Sequence, residues 1–150
     1  MITPNLGLSL RSAGAAGDIS FLVGLRNRLA RYFVSPVPAT PAQTFKLFET
    51  SRTYIVEQDN HRVGTFALYN FVDETAEFGR FMIDPSVQYG GIGTGILSLA
   101  LEEAAKLELR YLHLTAKGSN EVALRLYARA GFLRRPSVNG LILMWRELGK

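Results

Sequence analysis

Leu6, Leu8 and Leu10 alternate with Gly7, Ser9 and Arg11, the period-two pattern of a short strand over residues 6–11. A Gly/Ala-rich turn follows at 12–17, and Asp18 stands where a cap would start a helix running to about residue 33. Pro36, Pro38 and Pro41 break the next stretch and predict a loop over 34–41. A second helix fits residues 42–50. Residues 54–57 and 63–71 read as two strands around the turn Asp59-Asn60-His61-Arg62, and a third strand fits 76–84.

The period then changes. Ile96, Leu97, Ala100, Leu101 and Ala104 form one apolar stripe and predict a helix over 95–107. Residues 111–116 return to a strand pattern. A helix over 120–130 ends at Gly131, and strands at 132–134 and 141–146 flank a turn at 136–140. The order β-α-α-β-β-β-α-β-α-β-β is a mixed α/β plan, with an antiparallel meander in the middle and helical crossovers later.

Composition narrows the chemistry. The chain has 150 residues, 47% hydrophobic and 20% charged, which suits one globular domain over 1–150. With no cysteine, disulfides, thiolate metal sites and a cysteine nucleophile are excluded. His61 and His113 are too few for a histidine-rich metal centre, so no metal is expected. The net charge of +4 accompanies no basic run interleaved with aromatics, so nucleic acid is not the expected partner. A polyanionic cofactor accounts for the excess equally well. No stretch approaches the ~20 apolar residues of a membrane span, so no membrane partner is expected either. The N-terminal residues do not read as a signal peptide, and the expected location is cytoplasmic.

The most informative stretch is Gln88-Tyr89-Gly90-Gly91-Ile92-Gly93-Thr94-Gly95, between a strand and an amphipathic helix. Glycines there let the backbone approach a ligand and turn successive N–H groups into one concavity. The helix start adds partial positive charge, and together these suit a pyrophosphate. A plain tight turn before a helix is the alternative. The loop lacks the Gly-Lys-Ser/Thr of nucleoside-triphosphate sites, and its flanks are not an early β-α-β unit for a dinucleotide.

Gln88-x-x-Gly91-x-Gly93 resembles the Q/R-x-x-G-x-G/A signature of the GNAT superfamily of N-acetyltransferases. Phe81-Met-Ile-Asp-Pro85 is similar to the ending of that family's fourth strand. Downstream, Asn120-x-x-Ala123-x-x-Leu126-Tyr127-x-x-x-Gly131-Phe132 matches its N-x-x-A-x-x-L-Y-x-x-x-G-F pattern without a departure. The resemblance covers the chain and is sharp from about Glu77 to Phe132.

It implies a GNAT-like fold that binds acetyl-CoA and acetylates a primary amine. The amides of Gln88, Tyr89, Gly90, Gly91, Ile92 and Gly93 would hold the coenzyme pyrophosphate, with Thr94 and Gly95 beside them. The backbone of Phe81, Met82 and Ile83 would pair with the pantetheine arm, because the family splays its fourth and fifth strands apart. Asn120 matches a cofactor-contacting asparagine, and helix capping is its other reading. Tyr127 matches the tyrosine facing the thioester sulfur, where a phenol can protonate the departing thiolate. Glu77, eleven residues before Gln88, stands where histone-type members carry a catalytic glutamate. Other members place that glutamate on strand five, where this chain has Thr115, which leaves Glu77 or a water relay as base.

The acceptor amine should be chosen by the N-terminal half. Leu25-Arg26-Asn27, Tyr32-Phe33 and Ala76-Glu-Phe-Gly-Arg80 are similar to a branch with acetyltransferases of nucleotide-linked amino sugars and of ribosomal-protein N-termini. Arg26 and Asn27 would then hold a nucleotide's phosphates. The other reading makes Arg26 and Arg28 the solvated face of the first helix. The resemblance points to a small-molecule amine, with a nucleotide sugar preferred. A protein N-terminus, another small amine, or a non-catalytic acetyl-CoA-binding module are the rivals, and a homodimer is compatible with all of them.

Overall fold

The computed structural model describes residues 6–33, 38–87 and 90–149. The alternating N-terminal segments form β1 (Leu8–Ser12), β2 (Ser51–Gln58), β3 (His61–Val72) and β4 (Thr75–Ile83). The C-terminal ones form β5 (Tyr111–Lys117), β6 (Leu133–Val138) and β7 (Leu141–Glu147). All seven join one sheet in the order β1-β2-β3-β4-β5-β7-β6. Neighbours run antiparallel except β4 and β5, which are parallel. Helices α1 (Asp18–Arg28), α2 (Pro41–Thr50), α3 (Ile92–Lys106) and α4 (Glu121–Arg129) complete the expected α/β order. Among the described residues no helix is long and apolar enough to cross a membrane.

Val63 to Leu68 are six consecutive buried residues, so both faces of β3 are covered. On one face the stripe Ile92, Ile96, Leu97, Ala100 and Ala104 of α3 packs into a core with Phe66, Phe78, Leu112 and Met144. Each fully buried side chain of this size contributes roughly 1.5–3 kcal/mol. A smaller cluster joins Leu25 and Leu29 to Met82 of β4. Rings of Tyr54, Phe66 and Phe78 stack across β2, β3 and β4 at 5.0 and 5.6 Å.

Three local details differ from the sequence reading. Asp18 does not cap α1. Gly17 is the N-cap, at φ +90°, with no side-chain cap bond. Asp18 is instead fully buried, and its oxygens accept from Arg11 Nη1 and Nη2 at 2.8 and 2.9 Å and from Arg62 Nε at 2.8 Å. The backbone N–H groups of Gly14 and Ala15 add two more donors. The first helix also stops at Arg28, where Leu29 leaves helical geometry, and a 3₁₀ turn over Ala30–Tyr32 follows. Helix α3 begins at Ile92 rather than residue 95, because Gly91 at φ +84° serves as its N-cap.

Candidate active site

Strands β4 and β5 pair at only three positions: Thr75 with Tyr111, Ala76 with Leu112 and Glu77 with His113. Beyond Glu77 no ladder pair joins them, although β4 runs on to Ile83 and β5 to Lys117. The cause is local. Ala67 pairs with Gly79 and Thr65 with Met82, so Arg80 and Phe81 together oppose the single residue Phe66. Arg80 takes φ +51° at this bulge. A bulge bends its strand and raises its twist, which turns β4 away from β5. The gap opens into a cleft of about 1000 Å³.

At the Ile83 end the cleft meets the start of α3. Gly95 N–H is the first helical donor to find its acceptor, Gly91 O at 3.0 Å. The N–H groups of Ile92, Gly93 and Thr94 therefore lie in the unpaired first turn, with the helix dipole behind them. Gly91 has no side chain in the way, and Gly93 is held close to its neighbours. A Cβ at 93 would lie 3.1 Å from Leu126 Cδ2 and 3.3 Å from Ile83 Cδ1. Gly90, Gly91, Gly93 and Thr94 line the cleft, whereas Ile92 and Gly95 do not. The Ile92 side chain is buried in the core, and a Cβ on Gly95 would meet Leu8 Cδ1 at 2.6 Å, so Gly95 serves the packing of α3 on β1. Gln88 and Tyr89 lie outside the described residues.

Phe81, Met82 and Ile83 face the gap from the open edge of β4. Opposite them, α4 carries Asn120 and Tyr127. Asn120 caps its helix, accepting from Ala123 N–H at 3.4 Å, and also lines the cleft. The Tyr127 ring is gripped by Phe78, Phe81 and Phe132 at 6.0–6.2 Å. Burial pushes its phenol above the ordinary range, so it stays protonated.

At the far end Glu77 accepts from the Tyr69 hydroxyl at 3.2 Å and from the Asn70 amide at 3.0 Å. Burial, then the Glu77 charge, pushes the Tyr69 phenol up to about 12. Arg26 also lines the cleft, with its guanidinium 4.3 Å from the Phe33 ring centroid. Asn27 does not line the cleft. Its amide bonds both ways to Ala39, accepting from N–H at 2.8 Å and donating to O at 3.2 Å, which fastens residues 38–40 to α1. Thr115 is exposed to the cleft, while His113 stacks on Trp145 at 5.0 Å.

Sequence reasoning missed Tyr69, Asn70 and Lys117. Tyr69 and Asn70 sit eight and seven residues before Glu77, a spacing that becomes contact only through the β3–β4 hairpin. Lys117 donates to the Arg31 carbonyl at 3.1 Å and ties β5 to the turn after α1. An Asn inside a strand pattern is the one available signal, since Asn tolerates positive φ.

A model of the acetyltransferase (GNAT) family matches residues 22–132. An uncharacterised N-acetyltransferase of Methanocaldococcus jannaschii is 32% identical over 75 residues, which are 50% of this chain and 33% of that protein. The match thus spans a third of that relative's length. Among solved structures, spermidine N-acetyltransferase of Vibrio cholerae with CoA and spermine superposes at TM-score 0.81, with 24% identity over 96% of this chain and 97% of that one. An acetyltransferase of Salmonella typhimurium with its cofactor acetyl-CoA superposes at 0.79, with 16% identity over 95% of each chain. At these identities the likeness is one of fold.

Proposed function

The chain belongs to the GNAT acetyltransferase family, and from that premise we propose that residues 1–150 act as one acetyl-CoA-dependent N-acetyltransferase. The observation that carries the reading is the divergence of β4 from β5, leading straight to the unpaired first turn of α3. A strand-like pantetheine arm suits the open β4 edge, and a pyrophosphate suits the three free N–H groups. Tyr127 lies between, from the α4 side.

The chemistry assigned to the chain is direct transfer. Glu77 takes the proton from the incoming ammonium, directly or through water. The neutral amine nitrogen attacks the thioester carbonyl, the C–S bond breaks as the Tyr127 hydroxyl protonates the departing thiolate, and the proton that the new amide nitrogen sheds returns through water to restore the Tyr127 phenol. Asn120 serves the coenzyme side through its place on the lining and its hold on α4.

The preferred acceptor is a nucleotide-linked amino sugar. Among the described residues the lining carries four cations, Arg26, Arg80, Lys117 and Arg129, against one carboxylate, Glu77. That balance favours an anionic acceptor over a polyamine, which would bring more positive charge. Because Asn27 is engaged by Ala39, Arg26 is the member of that pair left to meet the diphosphate.

The test is a panel of primary amines: nucleotide-linked amino sugars, free amino sugars, peptide N-termini and polyamines. Acetyl-CoA consumption and the mass of each product are measured. A nucleotide-linked sugar acetylated fastest supports the reading. A faster peptide N-terminus replaces the acceptor, and coenzyme binding without any product leaves a binding module.

A further inference from the structure

Arg80 is held in an unusual state. Its Nη1 is buried and has no hydrogen-bond partner among the described residues. The ion pairs there all centre on Arg11 or Arg62, so no carboxylate lies within pairing distance of Arg80. Its guanidinium lies 4.3 Å from the Tyr69 ring centroid. Its backbone sits at φ +51°, a region that is strained for a residue with a Cβ. Burial also disfavours its charged form. Strain and an unmet donor in one residue that lines a cleft are the marks of a binding position.

The Tyr69 ring on which Arg80 rests donates through its hydroxyl to Glu77. Cation and carboxylate are therefore set one aromatic ring apart. The coenzyme cradle is elsewhere. It touches Ile83, three residues on and roughly 10 Å along the strand. A buried, unpaired guanidinium N–H in a residue that lines the cleft is satisfied best by an oxyanion, which the guanidinium can bind with short, charge-assisted hydrogen bonds.

We infer that Arg80 reads an oxyanion, a carboxylate or a phosphate, that the acceptor carries a few bonds from its amine. The inference rests on the acceptor end of the cleft as assigned above. With the amine at Glu77, the anion meets Arg80 across the width of Tyr69. A polyamine would set a second ammonium against Arg80 instead.

The experiment compares wild type with Arg80→Gln on two matched pairs of acceptors. One pair is an amino acid and its carboxamide; the other is a nucleotide-linked amino sugar and the free amino sugar. In the pair whose anion Arg80 reads, Arg80→Gln should raise KM for the charged member by about 10- to 100-fold and leave the neutral one nearly unchanged. The responding pair identifies the anion as carboxylate or phosphate. Equal losses on both members of each pair, or no loss at all, would overturn the inference. A readout without turnover separates this from the acetyltransferase reading: inorganic phosphate and acetate are titrated separately into the CoA-loaded proteins by calorimetry. Binding of either anion lost in Arg80→Gln supports the inference even where no acetyl is transferred, and equal binding of both, or binding of neither to wild type, overturns it. Coenzyme A binding and thermal melting report whether Arg80→Gln folds. If it does not, Arg80→Lys, which keeps the charge and loses the planar fork, carries the same comparison.

Discussion

Tyr69 and Glu77 face each other across β3 and β4, the phenol donating to Oε2 at 3.2 Å while Asn70 donates to Oε1 at 3.0 Å. Adjacent strand residues ordinarily point to opposite faces. Here the register shifts between Tyr69 and Val72, and Asn70 takes φ +51°, which brings both side chains onto one carboxylate. The Glu77 oxygens are held at a fixed place at the end of the cleft where β4 and β5 part.

Glu77→Gln should therefore keep its place and lose its basicity. The expected defect in kcat/KM is largest at low pH, where most of the amine is protonated. It shrinks as pH rises towards the pKa of the amine, near 10 for a lysine-like group. A pH-rate profile decides this, since a defect constant with pH assigns Glu77 to positioning.

Tyr127→Phe should lower kcat by about 10²- to 10⁴-fold and leave acetyl-CoA affinity nearly intact, because one hydroxyl goes and the ring stays. Burial raises the Tyr127 phenol, so it remains a proton donor wherever the amine is neutral. The wild-type rate should then show no alkaline loss below about pH 10 on account of this residue. Unchanged turnover, with chemistry limiting, would mean that Tyr127 only packs.

Gly91→Glu and Gly93→Glu place a negative charge beside the first turn of α3, and both should abolish acetyl-CoA binding measured by calorimetry. They should differ in stability. At 91 the added Cβ has room, its nearest neighbour being Leu6 Cδ1 at 3.9 Å, but φ +84° costs roughly 1–2 kcal/mol. At 93 the backbone is helical, and the cost comes from moving Leu126 and Ile83. A folded protein with wild-type affinity in either case would displace the pyrophosphate assignment.

Arg26→Ala should weaken a nucleotide-linked amino sugar strongly and the free sugar little. Remote binding also orients the reacting group, so kcat should fall along with the rise in KM. Equal losses on both substrates would make Arg26 a support for the fold through its contact with Phe33.

Asp18→Ala tests stability alone. Hydrogen bonds from Arg11, followed by those from Arg62, hold the Asp18 carboxyl well below the usual carboxylate range. A lowered folded-state pKa stabilises fully above the unfolded value, near 3.9, and the benefit is lost as pH falls below it. Removing the carboxylate should cost about 2–4 kcal/mol at neutral pH. Arg11 and Arg62 remain 31% and 32% exposed and can return to water, which moderates the loss. The gap between wild type and variant should narrow below about pH 4, as followed by denaturant unfolding.

The order of elements was legible because it rests on periodicity: the 96-97-100-101-104 stripe and the alternating strands need no long-range information. The candidate site stands out in the sequence where local chemistry is repetitive, in the glycines before α3 and the Asn120–Phe132 pattern. What escaped was set by tertiary register. Arg80 reads as one more strand residue until β3 pairs on either side of it. Asp18 follows a glycine turn as a cap would, and only the approach of Arg11 and Arg62 makes it the hub of an ion pair. Gly95 follows the cradle glycines in sequence, and its packing against Leu8 depends on which side of the first helix turn meets β1.

The three residue pairs between β4 and β5 also have a mechanical consequence. They make a short seam between two plates, one of β1–β4 and one of β5–β7. The core under α3 still joins both plates, through Phe66 and Phe78 on one and Leu112 and Met144 on the other, so the gap is a local opening over one shared core. A guest lying along the unstitched part would rivet the plates together there and add its binding free energy to that of the shared core, so the temperature at which this protein melts depends on its occupancy as well as on the chain.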